Sequence, residues 1–139
     1  MEADLTGAKL EGVRAQNALF KGAVLKKTVF KGADLSHAFF GECNATEADF
    51  TGAKLLNGIF TKAKCTAAVF ADAFCPYADF SHANLTAADF TGANLYAAKL
   101  HRIGEDHTKW DNANKLLVKG TDEEMAAAED WAPPVEKGK

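Results

Sequence analysis

The sequence of 139 residues has little of what usually identifies a protein class. It contains only three prolines, three cysteines, two tryptophans and two tyrosines, and its formal net charge is only −3. No apolar run approaches the roughly 18 residues of a membrane span. The N-terminus has neither the basic start nor the apolar core of a signal peptide. These absences predict a protein that does not interact with membranes.

An odd number of cysteines argues against a disulfide scaffold and favours reduced thiols, which predicts a cytoplasmic location. The near-neutral charge gives no support to nucleic-acid binding. What the sequence does have is a 47% share of hydrophobic residues and ten phenylalanines. That apolar share is too high for a disordered chain, and the length suits one domain.

An internal repeat of five residues runs without insertion from residue 1 to 100. Every fifth residue is mostly Leu or Phe, and the residue two positions before it is nearly always Ala. On an α-helix, five residues advance about 500°, so these positions would form no stripe. In a straight strand the two columns would face opposite sides. Both can face one interior only if the chain turns a corner in every pentapeptide. The pattern therefore predicts a square solenoid with twenty residues per coil, with Gly, Ser, Asn and Asp at many corners.

Several segments closely resemble the A(D/N)Lxx motif of pentapeptide-repeat proteins. Examples are Ala33-Asp34-Leu35-Ser36-His37, Ala78-Asp79-Phe80-Ser81-His82 and Ala93-Asn94-Leu95-Tyr96-Ala97. The resemblance covers about the first hundred residues. It implies an all-β fold, a right-handed quadrilateral β-helix of five to six coils. It implies much less about function, because this family serves varied roles.

When the sequence is written in rows of twenty residues, one row for each coil, most of the phenylalanines fall into two opposed interior columns. Leu10 and Leu100 complete these columns, which contain Phe20, Phe30, Phe40, Phe50, Phe60, Phe70, Phe80 and Phe90. Stacked rings fill a solenoid interior and leave no ligand pocket. Cys43, Cys65 and Cys75 also fall on inward positions and are predicted to be buried and unreactive.

The predicted β-helix covers residues 1–120, regular over 1–100 and degenerate over 101–120, and residues 121–139 form a cap and tail. Thr121 and Glu124 have the spacing of a capping box, which predicts a short helix over about 122–131. We expect Met125 and Trp131 to cover the open end of the last coil. The first coil has no such cap. Two interpretations stay open: the chain is cut from a longer one, or another molecule covers this coil.

No catalytic constellation emerges, so the sequence predicts that the protein is not an enzyme and needs no cofactor or metal. His82 and His101 are predicted neighbours on consecutive coils, but no Cys or carboxylate obviously completes a metal site with them. The outward Asp residues of the repeat are interpreted as turn-forming residues rather than as paired catalytic acids.

Two groups of outward apolar residues are predicted to contact a partner. The first is a stripe of Leu19, Phe39 and Ile59 at twenty-residue spacing, with Val29 and Val69 on a flanking face. The second, weaker group contains Leu56, Phe74, Tyr77 and Tyr96. The alternative is that these side chains only reflect the strand propensity of exposed positions.

We therefore predict a rigid, non-enzymatic scaffold for protein–protein interaction. The resemblance adds one context, a C-terminal domain excised from a bacterial secretion-associated protein, which would be secreted as cargo or as an effector. A homodimer through the first coil or the apolar stripe is also predicted. The alternative is a DNA-mimicking protein that binds and protects gyrase. Such a mimic needs sustained negative potential, whereas residues 1–100 carry ten basic and ten acidic residues.

Overall fold

The computed structural model of the protein describes residues 3–133. Residues 1, 2 and 134–139, and with them the start of the predicted first coil and most of the predicted tail, lie outside the described residues.

The chain turns a corner once in every five residues. At the first corner the N–H of Ala8 donates to the carbonyl of Leu5 at 2.9 Å, and Gly7 between them has a φ of +70°. A positive φ at the third residue of a hydrogen-bonded turn is the arrangement of a type II turn. Four such corners close one coil.

The left-handed corner position is not reserved for glycine. Six glycines occupy it, together with seventeen other residues whose φ lies between 52° and 63°. Among them are Ala67, Ala87 and Ala97, which have no polar side chain to stabilise the turn locally. A left-handed non-glycine residue costs roughly 1–2 kcal/mol. The corners are therefore imposed by the stacking of the coils rather than by local turn preference alone.

Backbone hydrogen bonds join consecutive coils in both directions. Leu5 N–H donates to the carbonyl of Val24 at 2.8 Å, and Val24 N–H donates to the carbonyl of Ala3 at 2.8 Å. Each face contributes one bridged residue per coil, so the β structure consists of isolated parallel bridges at twenty-residue spacing. The fold is a right-handed quadrilateral β-helix, and the expectation from the resemblance is confirmed.

We number the four faces by their first bridged residue. Face 1 begins at Asp4, face 2 at Lys9, face 3 at Arg14 and face 4 at Leu19.

The sixth coil has the same backbone pairing as the others. Its bridged residues Gly104, Lys109, Asn114 and Lys119 each pair with the residue twenty positions earlier. Only the side-chain pattern of this coil is degenerate. Glu105 and Lys115 occupy positions that are apolar in the other coils, and both are exposed. Residues 101–120 therefore complete a regular coil whose end is not apolar throughout.

Outward Asp and Asn residues stabilise the corners that follow them. Asp34 Oδ1 accepts bonds from the N–H of Ser36 at 3.2 Å and from its hydroxyl at 2.9 Å. Asp4 and Asp89 accept equivalent backbone bonds from Thr6 and Thr91. These hydrogen bonds lower the pKa values of Asp4, Asp34 and Asp89 from the ordinary carboxyl value. The acidic residue of the motif thus acts in the turn, which explains its pairing with a following Ser or Thr.

The β-helix is followed by a single helix within residues 3–133, α1, Glu123–Asp130. None of the helical structure in this range has the length and apolar character that crossing a bilayer requires.

Candidate functional site

The interior contains two columns of parallel rings. On face 2 the centroids of Phe30, Phe50, Phe70 and Phe90 lie 4.6–5.2 Å apart, and those of Phe20, Phe40, Phe60 and Phe80 on face 4 lie 4.5–4.9 Å apart. Rings of opposite columns meet edge to face at 5.5–6.1 Å. Trp110 extends the face 2 column by stacking on Phe90 at 4.9 Å. The rings fill the cross-section of the rod and contribute packing energy rather than a binding pocket.

All three thiols are buried. Burial raises the pKa of the Cys43 thiol to about 12, and it raises the pKa values of Cys65 and Cys75 as well. A reactive cysteine is exposed and has a lowered pKa, because the thiolate is the nucleophile. These cysteines have the opposite properties and serve as small interior side chains.

The predicted capping box at the start of α1 is wrong. The N-cap is Asp122, whose carboxylate oxygen accepts a bond from Met125 N–H at 2.9 Å. Thr121 instead uses its hydroxyl oxygen to accept a bond from the N–H of Arg102 at 3.2 Å, at the last corner of face 4. Glu124 lies in the first turn, where its charge suits the positive end of the helix dipole.

The expectation that Met125 and Trp131 close the open end is also wrong. Met125 is 51% exposed and Trp131 is 69% exposed, whereas the buried residue of α1 is Ala126. With one small apolar residue buried, apolar packing contributes little to docking this helix. Polar contacts must hold it instead.

One carboxylate holds α1 against two consecutive coils. Glu129 Oε2 lies 2.8 Å from Nε2 of His82, and its Oε1 lies 2.8 Å from Nε2 of His101. Arg102 forms a two-pronged pair with Asp130, with N–O distances of 2.8 and 3.2 Å. We call these five side chains the cap latch.

The sequence contained a signal for the cap latch that our sequence interpretation missed. Glu129 and Asp130 place two negative charges in the last turn of α1, where the helix dipole disfavours them. Nearby hydrogen-bond donors and cations offset this unfavourable interaction. His82, His101 and Arg102 provide such groups, so the acidic helix end favours docking beside them.

His82, His101 and Glu129 have the donor types of a metal site and lie within 4.8 Å of one another. However, Nδ1 of His101 accepts a bond from the backbone N–H of Asp122 at 3.0 Å. A neutral His101 must then carry its proton on Nε2 and donate it to Glu129. A metal-bound histidine has the reverse polarity, with Nδ1 as the donor. The arrangement fits a hydrogen-bonded latch and does not match metal coordination.

The two histidines also hold Glu129 in its charged form. Hydrogen bonding from His101, followed by the bond from His82, lowers the pKa of Glu129 to about 2. The carboxylate therefore remains ionised at any pH at which most proteins function.

The predicted stripe of Leu19, Phe39 and Ile59 lies on face 4, where the three residues are bridged in sequence. Leu19 is 83% exposed, whereas Phe39 and Ile59 are half-buried. The ring of Phe39 covers Gly41, where an added Cβ would lie 2.5 Å from Phe39 Cζ. The flanking Val29 and Val69 are half-buried on face 2, with Asp49 bridged between them.

The second predicted group is part of a longer apolar surface. At the corner between faces 3 and 4, Leu56, Tyr77 and Tyr96 are joined by residues that the sequence interpretation did not include. Backbone bonds between successive coils, such as Tyr77 N–H to the carbonyl of Tyr96 at 2.8 Å, align this corner over coils 3–6. We call it the apolar ridge; it contains Leu56, Tyr77, Tyr96, Leu116 and Leu117, whereas Pro76 of the same corner is buried.

The apolar ridge is more exposed than the stripe. Leu116 and Leu117 are 62% and 61% exposed, and Tyr77 is 53% exposed. The rings of Tyr77 and Tyr96 meet edge to face at 5.7 Å. Phe74, which is 45% exposed, lies on face 3 beside the ridge. The stripe approaches the ridge in coil 3, where Leu56 and Ile59 lie three residues apart in consecutive pentapeptides.

These features define a four-sided parallel β-helix with a filled interior, a latched terminal helix and apolar side chains on its outside. The family described as "Pentapeptide repeats" matches residues 3–40, 28–64 and 63–102, in eight copies. The chain belongs to the pentapeptide-repeat family. Among curated proteins, none matches this chain.

Solved structures of the same family have the same fold. A pentapeptide repeat protein from the thylakoid lumen of Arabidopsis thaliana is 26% identical, with a TM-score of 0.56, covering 86% of this chain and 77% of that one. HetL, a pentapeptide repeat protein involved in heterocyst differentiation regulation in Nostoc sp. strain PCC 7120, is 22% identical, with a TM-score of 0.53 and coverages of 82% and 70%. Rfr23 from Cyanothece 51142 is 19% identical, with a TM-score of 0.54 and coverages of 86% and 88%.

Proposed function

We propose that this protein is a rigid, non-enzymatic scaffold that binds another protein through its outer surface. The observation that carries the proposal is the apolar surface formed by the stripe and the ridge on a rod whose interior is filled. Monomeric proteins rarely expose large contiguous apolar patches, and those that do use them as interaction sites. Members of this family are generally structural or interaction proteins rather than enzymes.

The reactive side chains support a non-enzymatic role. The thiols are buried with raised pKa values, and His82 and His101 are engaged with Glu129 in the cap latch. A nucleophile or general base must instead be free to reach a substrate.

Photo-crosslinking in cells that express the protein tests the scaffold proposal. A photoreactive residue is introduced singly at an exposed position on each side of the rod, with Lys9, Arg14, Leu19 and Lys64 as the four sites. We expect at least one site to capture a distinct protein. If none of the four sites, nor any site on the ridge, captures a protein, the scaffold proposal is wrong.

We also propose that the protein forms a homodimer, and the exposure of Leu19 on the stripe supports this proposal. Sedimentation of the purified chain tests it. A dimer through the stripe becomes a monomer on Phe39→Asp, whereas an unchanged oligomeric state on that substitution contradicts a stripe-mediated dimer.

The cytoplasmic location also remains a proposal, supported by the three free thiols. Fractionation of expressing cells tests it. The secretion-associated origin has no support beyond the resemblance, and we do not include it in the proposed function.

Gyrase binding is the alternative function. The neutral charge of residues 1–100 counts against duplex mimicry, because a mimic needs phosphate-like negative potential along its length. A supercoiling assay with purified gyrase decides it: no effect at micromolar protein would remove this alternative.

A further inference from the structure

We propose that the apolar ridge docks an acidic partner protein in a cleft that encloses the corner between faces 3 and 4. This inference rests on the proposed scaffold function and specifies the surface and the chemistry of the partner. Four observations carry it: the exposure of the ridge, its rigidity, the charge of its rim and its shape.

The ridge contains the side-chain types that dominate protein interfaces. Tyr77 and Tyr96 are large, partly polar aromatic residues, and aromatic residues of this kind are enriched among interface residues with the largest binding energies. Leu116 and Leu117 extend the apolar surface beyond the tyrosines and are more than half exposed. Without a partner, this side of the rod keeps four large side chains exposed to water, namely Phe74, Tyr77, Leu116 and Leu117.

The backbone of the ridge is fixed before any partner binds. Ala97 N–H donates to the carbonyl of Leu116 at 2.9 Å, and Asn57 N–H donates to that of Pro76 at 3.0 Å. Because the corners of coils 3–5 are held in this way by the next coil, and the corner of coil 6 accepts a bond from the coil before it, docking requires little ordering of the main chain. A preformed surface loses less conformational entropy on binding than a loop does.

The rim of the ridge is basic. On face 4, Lys99 and Lys119 are bridged neighbours, and on face 3 Lys54 is bridged to Phe74. The acidic residues of the same rim are Asp79, which is bridged to Lys99, and Asp122, which lines one cleft with Lys99 and Lys119. Within residues 3–133, no carboxylate lies within 4.0 Å of the amino group of any of these three lysines.

This rim contrasts with the rest of the molecule. The whole chain has a formal net charge of −3, whereas three lysines against two aspartates surround the apolar ridge. Complementary charge at the rim of an interface steers association and selects partners. The partner that matches this rim presents carboxylates around an apolar surface.

The same charges disfavour a second copy of this chain as the occupant. Two ridges placed against each other would bring like-charged rims together. A flat contact between one face of each rod is also small: six coils at about 4.8 Å and three residues of face width at about 3.3 Å give roughly 300 Å² for each partner. A stable interface buries about 800 Å² on each side. The partner must therefore contact both faces around the corner, which requires a concave surface.

The first test identifies what contacts the ridge in cells. A photoreactive residue replaces Tyr77 in one variant and Lys64, which is exposed on face 1, in the control variant. We expect a protein to be captured from position 77 and not from position 64. Capture from position 64 alone would overturn the ridge proposal and leave the scaffold function standing. Capture from neither position, nor from the other crosslinking sites, would overturn both. Capture of a second copy from position 77 would overturn the acidic partner.

The second test measures the affinity of the captured protein for purified variants. Lys99→Glu/Lys119→Glu reverses two charges of the rim, and Lys62→Glu/Lys64→Glu makes the same change elsewhere on the rod. We expect the first variant to bind about 10- to 100-fold more weakly and the second to bind within about threefold of the unmodified protein. Added salt should weaken binding of the unmodified protein and have less effect on the first variant.

Exchanging the charges between the two proteins shows whether the lysines of the rim bind carboxylates of the partner or whether their substitution weakens binding for another reason. Replacing the contacting carboxylates of the captured protein by lysine should restore its affinity for Lys99→Glu/Lys119→Glu. Circular dichroism and thermal unfolding confirm that each variant is folded. Equal losses in the two charge-reversed variants, or no restoration by the exchange, would show that the rim does not select the partner.

Discussion

The β-helix and α1 are held in place by different kinds of interaction. In the β-helix, the same inward position on faces 2 and 4 carries Phe in coil after coil, so rings stack on similar rings above and below. In α1, a single small residue is buried, and the cap latch supplies the docking contacts. The repeat distributes its stability over many equivalent contacts, whereas the position of the cap depends on a few specific ones.

The largest effect expected is from removing an interior ring. Phe60 stacks on Phe40 at 4.5 Å and on Phe80 at 4.9 Å, and it is fully buried. We expect Phe60→Ala to lower the free energy of unfolding by about 3–5 kcal/mol. Phe74→Ala is the matched control, because Phe74 is 45% exposed, and its loss should be at most about 1 kcal/mol. Denaturant unfolding measures both; similar losses would contradict the difference between interior and surface rings.

The cap should respond to acid through Glu129. The pKa of Glu129 is lowered from 4.5 to about 2 by its bonds to His101 and His82. The stabilisation is therefore complete above about pH 4.5 and is lost progressively as the pH falls toward 2. The NMR amide signal of Asp122, whose N–H is bonded to His101 Nδ1 in the docked state, reports undocking. Glu129→Gln should remove the component of the acid transition between pH 4.5 and 2, and an unchanged profile would contradict this role.

The two nitrogens of His101 can be tested separately. Asn can replace the Nδ1 acceptor for the N–H of Asp122, and Gln can replace the Nε2 donor to Glu129. We expect each substitution to cost about 1 kcal/mol, since each loses one hydrogen bond. Amide exchange of Asp122 should remain slow in His101→Asn and become faster in His101→Gln. Equal exchange rates in the two variants would contradict a hydrogen bond from the N–H of Asp122 to Nδ1 of His101.

The smallest effect concerns the corners of the β-helix. Ala67 has a φ of 57°, which glycine adopts without strain, whereas its neighbour Ala68 is buried and faces inward. Ala67→Gly should stabilise the protein by about 0.5–1 kcal/mol. Ala68→Gly should destabilise it, because it removes a buried methyl group. Thermal unfolding of the pair gives the comparison, and stabilisation by both would mean that the corner conformation is not the cause.

The sequence predicts the periodic part of this molecule well because the repeat acts through spacing alone. The position of each interior ring follows from counting in fives and in twenties. Even the sixth coil, whose motif is weak at Glu105 and Lys115, keeps its backbone pairing because the fifth coil provides the template.

The cap latch could not be predicted by counting, because α1 has no partner at a fixed spacing. Its place depends on how Glu129 meets two histidines 28 and 47 residues away in sequence. The ridge was only partly predicted for a different reason. Leu116 lies twenty residues after Tyr96, but it belongs to the coil that the sequence pattern presents as degenerate, so the prediction was not extended to Leu116 and Leu117.

The interior repeats every ten residues, although the backbone repeats every five. Large rings occur on faces 2 and 4, and smaller side chains occur on faces 1 and 3. An insertion of ten residues would therefore rotate everything that follows by half a turn and still place ring upon ring, whereas an insertion of five would place ring upon small side chain. Lineages of this fold can thus move a binding surface to the opposite side of the rod in one step, without repacking the interior.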